Sequence, residues 1–215
     1  MVRKSRARRY LLRLRAGNEA RLVIPRGGSS DEALRFLERS ETWLLEQMNK
    51  WRSHRQADQP WIAGSLILFR GEEIPLHVEN RDDKLHLCFA DQQIGLSSKL
   101  SDYRPLVRKH LRQLAERELR DRTMELARIH DITVHHVTVR AQKTRWGSCS
   151  VRGTISLNWR LIQAPSYVSD YLIIHELMHR RQMNHSAKFW KLVAEACPDY
   201  QVAEKWLKKI RLEHD

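Results

Sequence analysis

Five residues, His175-Glu176-Leu177-Met178-His179, constrain this chain more than any other stretch. Residues four apart share one face of an α-helix, so a helix here lets both imidazoles reach a single ion. Glu176 points toward the same side, within reach of a water on that ion. His185 follows six residues after His179 and, if the chain turns back, closes a three-nitrogen set. Three protein donors and an open fourth position are the layout of a catalytic zinc rather than a structural one. Zinc brings the pKa of a bound water down to about 7, and a neighbouring carboxylate then takes its proton. The spacing therefore predicts metal-assisted hydrolysis on a helix.

The flanking sequence suits that helix. Tyr167 to His179 reads as one helix with Val168, Leu172, Ile173, Leu177 and Met178 as its apolar set. Pro165-Ser166 supplies start signals, with Ser166 as the N-cap. Asn184 is the expected stop, because Asn tolerates the left-handed conformation that ends helices. Ser186 then caps a second helix from Ala187 to Ala196, before Pro198 interrupts.

Charge and composition narrow the class. The chain has 215 residues, 41% of them hydrophobic, and a formal net charge of +13. Basic residues gather at Arg3, Lys4, Arg6, Arg8, Arg9, Arg13 and Arg15, again at Arg140, Lys143 and Arg145, and again at Lys205, Lys208, Lys209 and Arg211. Such a balance suits nucleic acid, nucleotides or acidic proteins as partners, or only a solvated basic surface. No helix-turn-helix, finger or aromatic RNA-binding pattern accompanies it. No run of 18 apolar residues exists to span a membrane, and no secretory leader is visible. Cys88, Cys149 and Cys197 are too scattered for a disulfide framework, so a reducing, cytoplasmic setting is expected. Cys149 reads as a small buried residue rather than a ligand.

The organisation looks bipartite, with a strand-rich α+β module over 1–98 and a catalytic domain over 99–215. A hairpin is expected from Arg8–Leu14 and Ala20–Ile24, then a helix from Ser30 to about Trp51. Strands follow at Ser65–Phe69, Ile74–Val78, Lys84–Phe89 and Gln93–Leu96. Tyr103 to His130 is a long charged helix, with Leu106, Val107, Leu111, Leu114, Leu119, Met124, Leu126 and Ile129 toward a core. Strands at Thr133–Arg140 and Thr154–Leu157 precede the His-Glu helix. His135 and His136, adjacent on a strand, point to opposite faces and do not share an ion.

Four motifs occur in order: Arg145-Trp-Gly-Ser-Cys-Ser150, Ile155-Ser-Leu-Asn-Trp-Arg160, His175-Glu-Leu-Met-His179 and Asn184-His-Ser-Ala-Lys-Phe-Trp190. In them the chain resembles the YgjP-like metallopeptidases, a zincin-type family related to the SprT-like and WLM groups. The resemblance implies a minimal zincin-like metallopeptidase domain. It implies one zinc ion held by His175, His179 and His185, Glu176 as general base, and a protein or peptide substrate. One departure concerns the turn, where a glycine of the metzincin spacing is replaced by Gln182. If the turn fails to bring His185 home, Glu195 or Glu204 becomes the third ligand.

Peptide hydrolysis also needs a donor for the oxyanion on the attacked carbonyl. Arg145, Asn158, Arg160, Tyr167 and Tyr171 are chemically able to serve, with Arg145, Asn158 and Tyr171 carried as the candidate contacts. Gly153–Asn158 is the expected sheet edge for an extended peptide. Asp170 is expected at the helix dipole or behind a ligand imidazole. Two alternatives stay open. The same centre would hydrolyse a nucleotide or other phosphoanhydride, or the chain is a DNA-associated protease or a basic nucleic-acid-binding module with a structural metal.

Overall fold

The computed structural model describes residues 1–3, 7–15, 19–45, 47–48 and 59–209. The architecture is α+β, and compactness divides the chain into Met1–Gln59 and Pro60–Asp215.

In the first unit, β1 (Val2–Arg3) runs parallel to β3 (Glu19–Ile24), and β2 (Leu11–Arg15) pairs antiparallel on the other side of β3. The helix α1 (Ser30–Arg39) follows; the Ser29 hydroxyl accepts from the Glu32 amide at 3.0 Å and caps it. Leu22, Ile24 and Ala33 form its small core, with Tyr10, Leu12, Phe36 and Leu37 packed around them. The helix expected to reach Trp51 breaks at Ser40, whose hydroxyl donates back to the Phe36 carbonyl at 2.8 Å. Residues 41–45 are again helical, and the expected end at Trp51 lies outside the described residues, as do Lys4, Arg6 and Arg211.

The second unit begins with the pair β4 (Leu66–Phe69) and β5 (Glu72–Pro75), then a meander of β6 (His77–Arg81), β7 (Lys84–Phe89) and β8 (Gln92–Leu96). The single strand expected over Ile74–Val78 is therefore two. Pro75 has no amide for the ladder, and buried Leu76 bridges the two strands as the chain changes sheet. Asp82 and Asp83, both at positive φ, make the tight turn between β6 and β7.

The long helix α2 (Arg104–Ile129) carries Val107, Leu111, Leu114, Ala115, Leu119 and Leu126 into the core. Ile67, Phe69, Leu87 and Phe89 from the strands at 66–96 belong to the same buried cluster, so those strands pack with this helix. Met124 and Ile129, expected inside, are exposed because they fall off the buried stripe. Beyond α2 stands a three-stranded sheet in the order β10 (Gly147–Cys149), β11 (Thr154–Asn158), β9 (His136–Arg140). β11 pairs with β10 antiparallel and with β9 parallel, so the expected edge at Gly153–Asn158 is the central strand. Among the described residues, β10 is the edge strand beside the His-Glu helix, and it is too short for periodicity to reveal.

A 3-10 turn at Trp159–Gln163 leads into α3 (Ser166–Met178), followed by α4 (Ala187–Ala196) and α5 (Tyr200–Lys209). Pro165, not Ser166, is the N-cap of α3, its carbonyl accepting from Val168 and Ser169. The tip of the β4–β5 hairpin braces this entry. Arg70 and Gly71 donate backbone hydrogen bonds to Ile162 and Gln163, and a Cβ on Gly71 would lie 2.5 Å from Pro165. Asp170 is neither a dipole carboxylate nor a support for an imidazole. It accepts two hydrogen bonds from the Arg122 guanidinium, at 2.8 and 2.7 Å, and ties α3 to α2.

Candidate metal and catalytic centre

α3 is buried nearly all round, which is why its sequence reads as apolar on every side. Glu176 is only 4% exposed and His179 8%, whereas His185 stands in the exposed loop before α4. The helix ends at Met178 with His179 as C-cap, so the chain turns five residues earlier than Asn184. The turn is built from side chains rather than a left-handed residue. The His179 Nδ1–H meets the Gln182 carbonyl at 3.2 Å, and the Gln182 amide donates to Asn184 Oδ1 at 2.7 Å. Asn184 Oδ1 also accepts from the Ser186 amide at 3.3 Å. Gln182 thus occupies the glycine position without the backbone freedom of a glycine.

This turn brings three imidazoles together. A ring nitrogen from each of His175, His179 and His185 lies within 4.8 Å of the others. The Nε2 atoms of His175 and His185 are 3.0 Å apart. Buried Phe189 of α4 forms the floor, its ring 4.9, 4.5 and 4.9 Å from the three imidazoles. Burial and the two neighbouring histidines push His175 down to about 3, and burial also lowers His179. Both are therefore neutral, the form that binds metal. The Gln182 carbonyl can only accept, so it holds the proton of His179 on Nδ1 and leaves Nε2 as donor toward the centre. An all-imidazole donor set suits a borderline cation such as zinc. The acids expected as fallback ligands are engaged elsewhere: Glu204 pairs with Lys208 at 2.9 Å and Glu195 with Lys191 at 4.0 Å.

Glu176 sits beneath this group, and burial pushes its carboxyl up to about 8 while Arg145 pulls it back. Gly147 is the neighbour that sequence reasoning missed. A Cβ there would lie 2.6 Å from Glu176 Oε1 and 2.9 Å from its Cγ. The φ of Gly147 is not positive, so space for the carboxylate, not backbone freedom, accounts for the glycine. The signal available beforehand was a glycine inside the Arg145–Ser150 motif with no turn to need it. Cys149, two residues on, is pushed up to about 11 by burial and by Glu176, and remains a neutral thiol.

The remaining candidates divide. Arg145 is exposed at the entry to β10 and is the cation that acts on Glu176. Tyr171 is 3% exposed, its ring edge-on to His175 at 6.0 Å, and burial raises its hydroxyl so that it stays protonated. Asn158 is fully buried: its amide donates to the carbonyls of Gln142 and Arg145 at 2.8 and 3.2 Å, and its oxygen accepts from the Arg160 amide. Arg160 is buried against Trp159, and Tyr167 is exposed near the start of α3.

The family model described as the YgjP-like metallopeptidase domain matches residues 8–210. Among solved structures, the metallopeptidase zymogen of Pyrococcus abyssi abylysin is 24% identical, covering 42% of this chain and 92% of that one, with a TM-score of 0.39. The zymogen of Methanocaldococcus jannaschii jannalysin is 21% identical, covering 44% and 99%, with a TM-score of 0.37. No curated protein sequence matches. With a family match that spans nearly the whole chain over a centre of this composition, the protein belongs to the YgjP-like metallopeptidases and is a metal-dependent hydrolase.

Proposed function

We propose that the chain is a zinc metallopeptidase in which His175, His179 and His185 hold one zinc ion and Glu176 is the general base. The observation that carries this reading is the convergence of three imidazoles with a buried carboxyl one residue along the same helix. When bound, zinc supplies Lewis-acid polarisation of the attacked carbonyl and acidifies the attacking water. Glu176, its carboxyl raised to about 8 by burial, is the group placed to accept the proton of that water and then deliver it to the leaving amine.

The extended substrate adds to the free edge of β10, where backbone hydrogen bonds hold it beside Glu176. Arg145, two residues before that strand, faces the developing oxyanion or a substrate carbonyl, and Tyr171 is a second protonated donor close to His175. For Asn158 we propose a supporting role: it anchors the loop that carries Arg145, since its own polar atoms are engaged. No described helix is long and apolar enough to cross a membrane. With three free cysteines, we place the chain in the cytoplasm.

The test is metal content and hydrolysis measured together on wild type and Glu176→Gln. Substrates are an unstructured protein, with and without DNA, and a panel of nucleoside triphosphates. One zinc per chain in both proteins, with protein cleavage only by wild type, is the expected result. Consumption of a triphosphate instead, or protein cleavage only with DNA, would replace the substrate class. Absence of bound metal would overturn the reading.

A further inference from the structure

A groove of about 720 Å³ opens between α4 and α5, and Trp190 belongs both to it and to the metal centre. The Trp190 ring lies 5.8 Å from His175 and 5.8 Å from His185. Tyr200 stacks on Trp190 at 5.6 Å with 25° between the planes, and also on Tyr171 at 6.2 Å. Tyr171 in turn meets His175 edge-on. The aromatic wall of the groove is therefore Trp190 and Tyr200, with Trp190 also against the metal-ligand rings and buried Tyr171 behind Tyr200. Val202, 57% exposed, forms an apolar rim to this groove.

Apart from Gln201, the rest of the lining is charged, with one sign left over. Glu204 is neutralised by Lys208 at 2.9 Å, whereas no described carboxylate pairs with Lys205, one helical turn before Lys208. Flat aromatic walls favour another ring in offset or edge contact, and a spare ammonium beside them favours an acid. The size is that of a site for a side chain and its neighbours rather than a crevice for water.

We propose that this groove is the side-chain subsite of the peptidase, selecting an aromatic residue of the substrate next to the scissile bond with an acidic residue beside it. This assignment rests on the metallopeptidase reading and adds the substrate class. Trp190 and Tyr200 form the wall that receives the ring, Val202 sets the width, and Lys205 attracts the acid.

The experiment uses the full chain loaded with zinc and a mixed peptide library, with cleavage sites mapped by mass spectrometry. In parallel, a fluorescein-labelled octapeptide with Phe-Asp at its centre, and its Ala-Ala counterpart, are titrated into Glu176→Gln. Val202→Trp narrows the groove from an exposed position, so it leaves the core intact; Lys205→Glu reverses the spare charge. We expect wild type to cut beside aromatic residues followed or preceded by an acid. We expect Val202→Trp to lose that aromatic preference by roughly tenfold and Lys205→Glu to lose the acidic one. Cleavage by wild type with no such preference, or an unchanged profile in Val202→Trp, overturns the subsite while leaving the peptidase intact. If wild type cuts nothing, yet the Phe-Asp peptide binds Glu176→Gln and Val202→Trp abolishes that binding, the groove stands and the peptidase reading falls. Displacement of the peptide by a nucleoside triphosphate at lower concentration than the peptide itself makes the groove a nucleotide site and overturns the proposal.

Discussion

Among the described residues of the second unit, two groups of metal-capable side chains occur, and they differ in what their donors already do. His77 and Cys88 face each other across the β6–β7 ladder, and Glu79 stands two residues along on the same face; their donor atoms also fall within 4.8 Å of one another. Yet Glu79 accepts from Arg81 Nε at 2.7 Å and meets the His77 ring at 3.0 Å. Its carboxyl is lowered chiefly by the Arg81 hydrogen bond, while burial raises the Cys88 thiol. A cation there must displace a guanidinium and strip a proton from a buried thiol. At the other centre His175 and His179 are already neutral, and no described guanidinium or carboxylate hydrogen-bonds to them or to His185. Proximity of donors is thus common; donors left unspent by the surrounding fold are what distinguish a centre.

The largest test of that contrast is Glu176→Gln, which should lower turnover on the order of 10²–10⁴-fold while zinc stays bound, as read by activity and metal analysis. His185→Ala should lose stoichiometric zinc, whereas Cys88→Ser should keep it. Equal losses in the two variants would erase the distinction drawn here. Gly147→Ala forces the Glu176 carboxylate aside without touching a ligand. We expect kcat to fall by up to about 100-fold, with metal content and Tm near wild type.

Smaller effects probe the supports. Asp170→Ala removes a partly exposed bidentate pair that ties α3 to α2. It should cost roughly 1–2 kcal/mol in denaturant unfolding, after discount for solvent screening. Last, Glu79 binds its proton less readily when folded than unfolded, so its contribution is present at neutral pH and lost as pH falls through its lowered range. Arg81→Ala should move the Glu79 titration, followed by NMR, back toward 4.5 and flatten that part of the acid profile.

Much of the centre was legible beforehand because it is local. The four-residue spacing of His175 and His179, and the apolar run around them, determine a buried helix with both rings on one side. The start of α4 at Ala187 and the span of α2 follow equally from nearby residues. What went astray depended on partners distant in sequence. Asp170 reads as a dipole carboxylate until Arg122, 48 residues away, is seen to hold it. Met124 and Ile129 look like core until the packing of α2 fixes which stripe is covered.

The sequence by itself therefore determined the helix, the two histidines it displays, the glutamate between them and the strand-rich α+β class. Only the tertiary structure decided that His185 closes the group, through side-chain bonds of Gln182 and Asn184 rather than a glycine turn. Only it decided that β10 is the free edge, that Gly147 makes room for Glu176, and that Trp190 and Tyr200 wall a groove beside the ligands. The reason is physical: periodicity reports which face of an element is apolar, whereas the neighbour that fills each space is chosen by long-range packing.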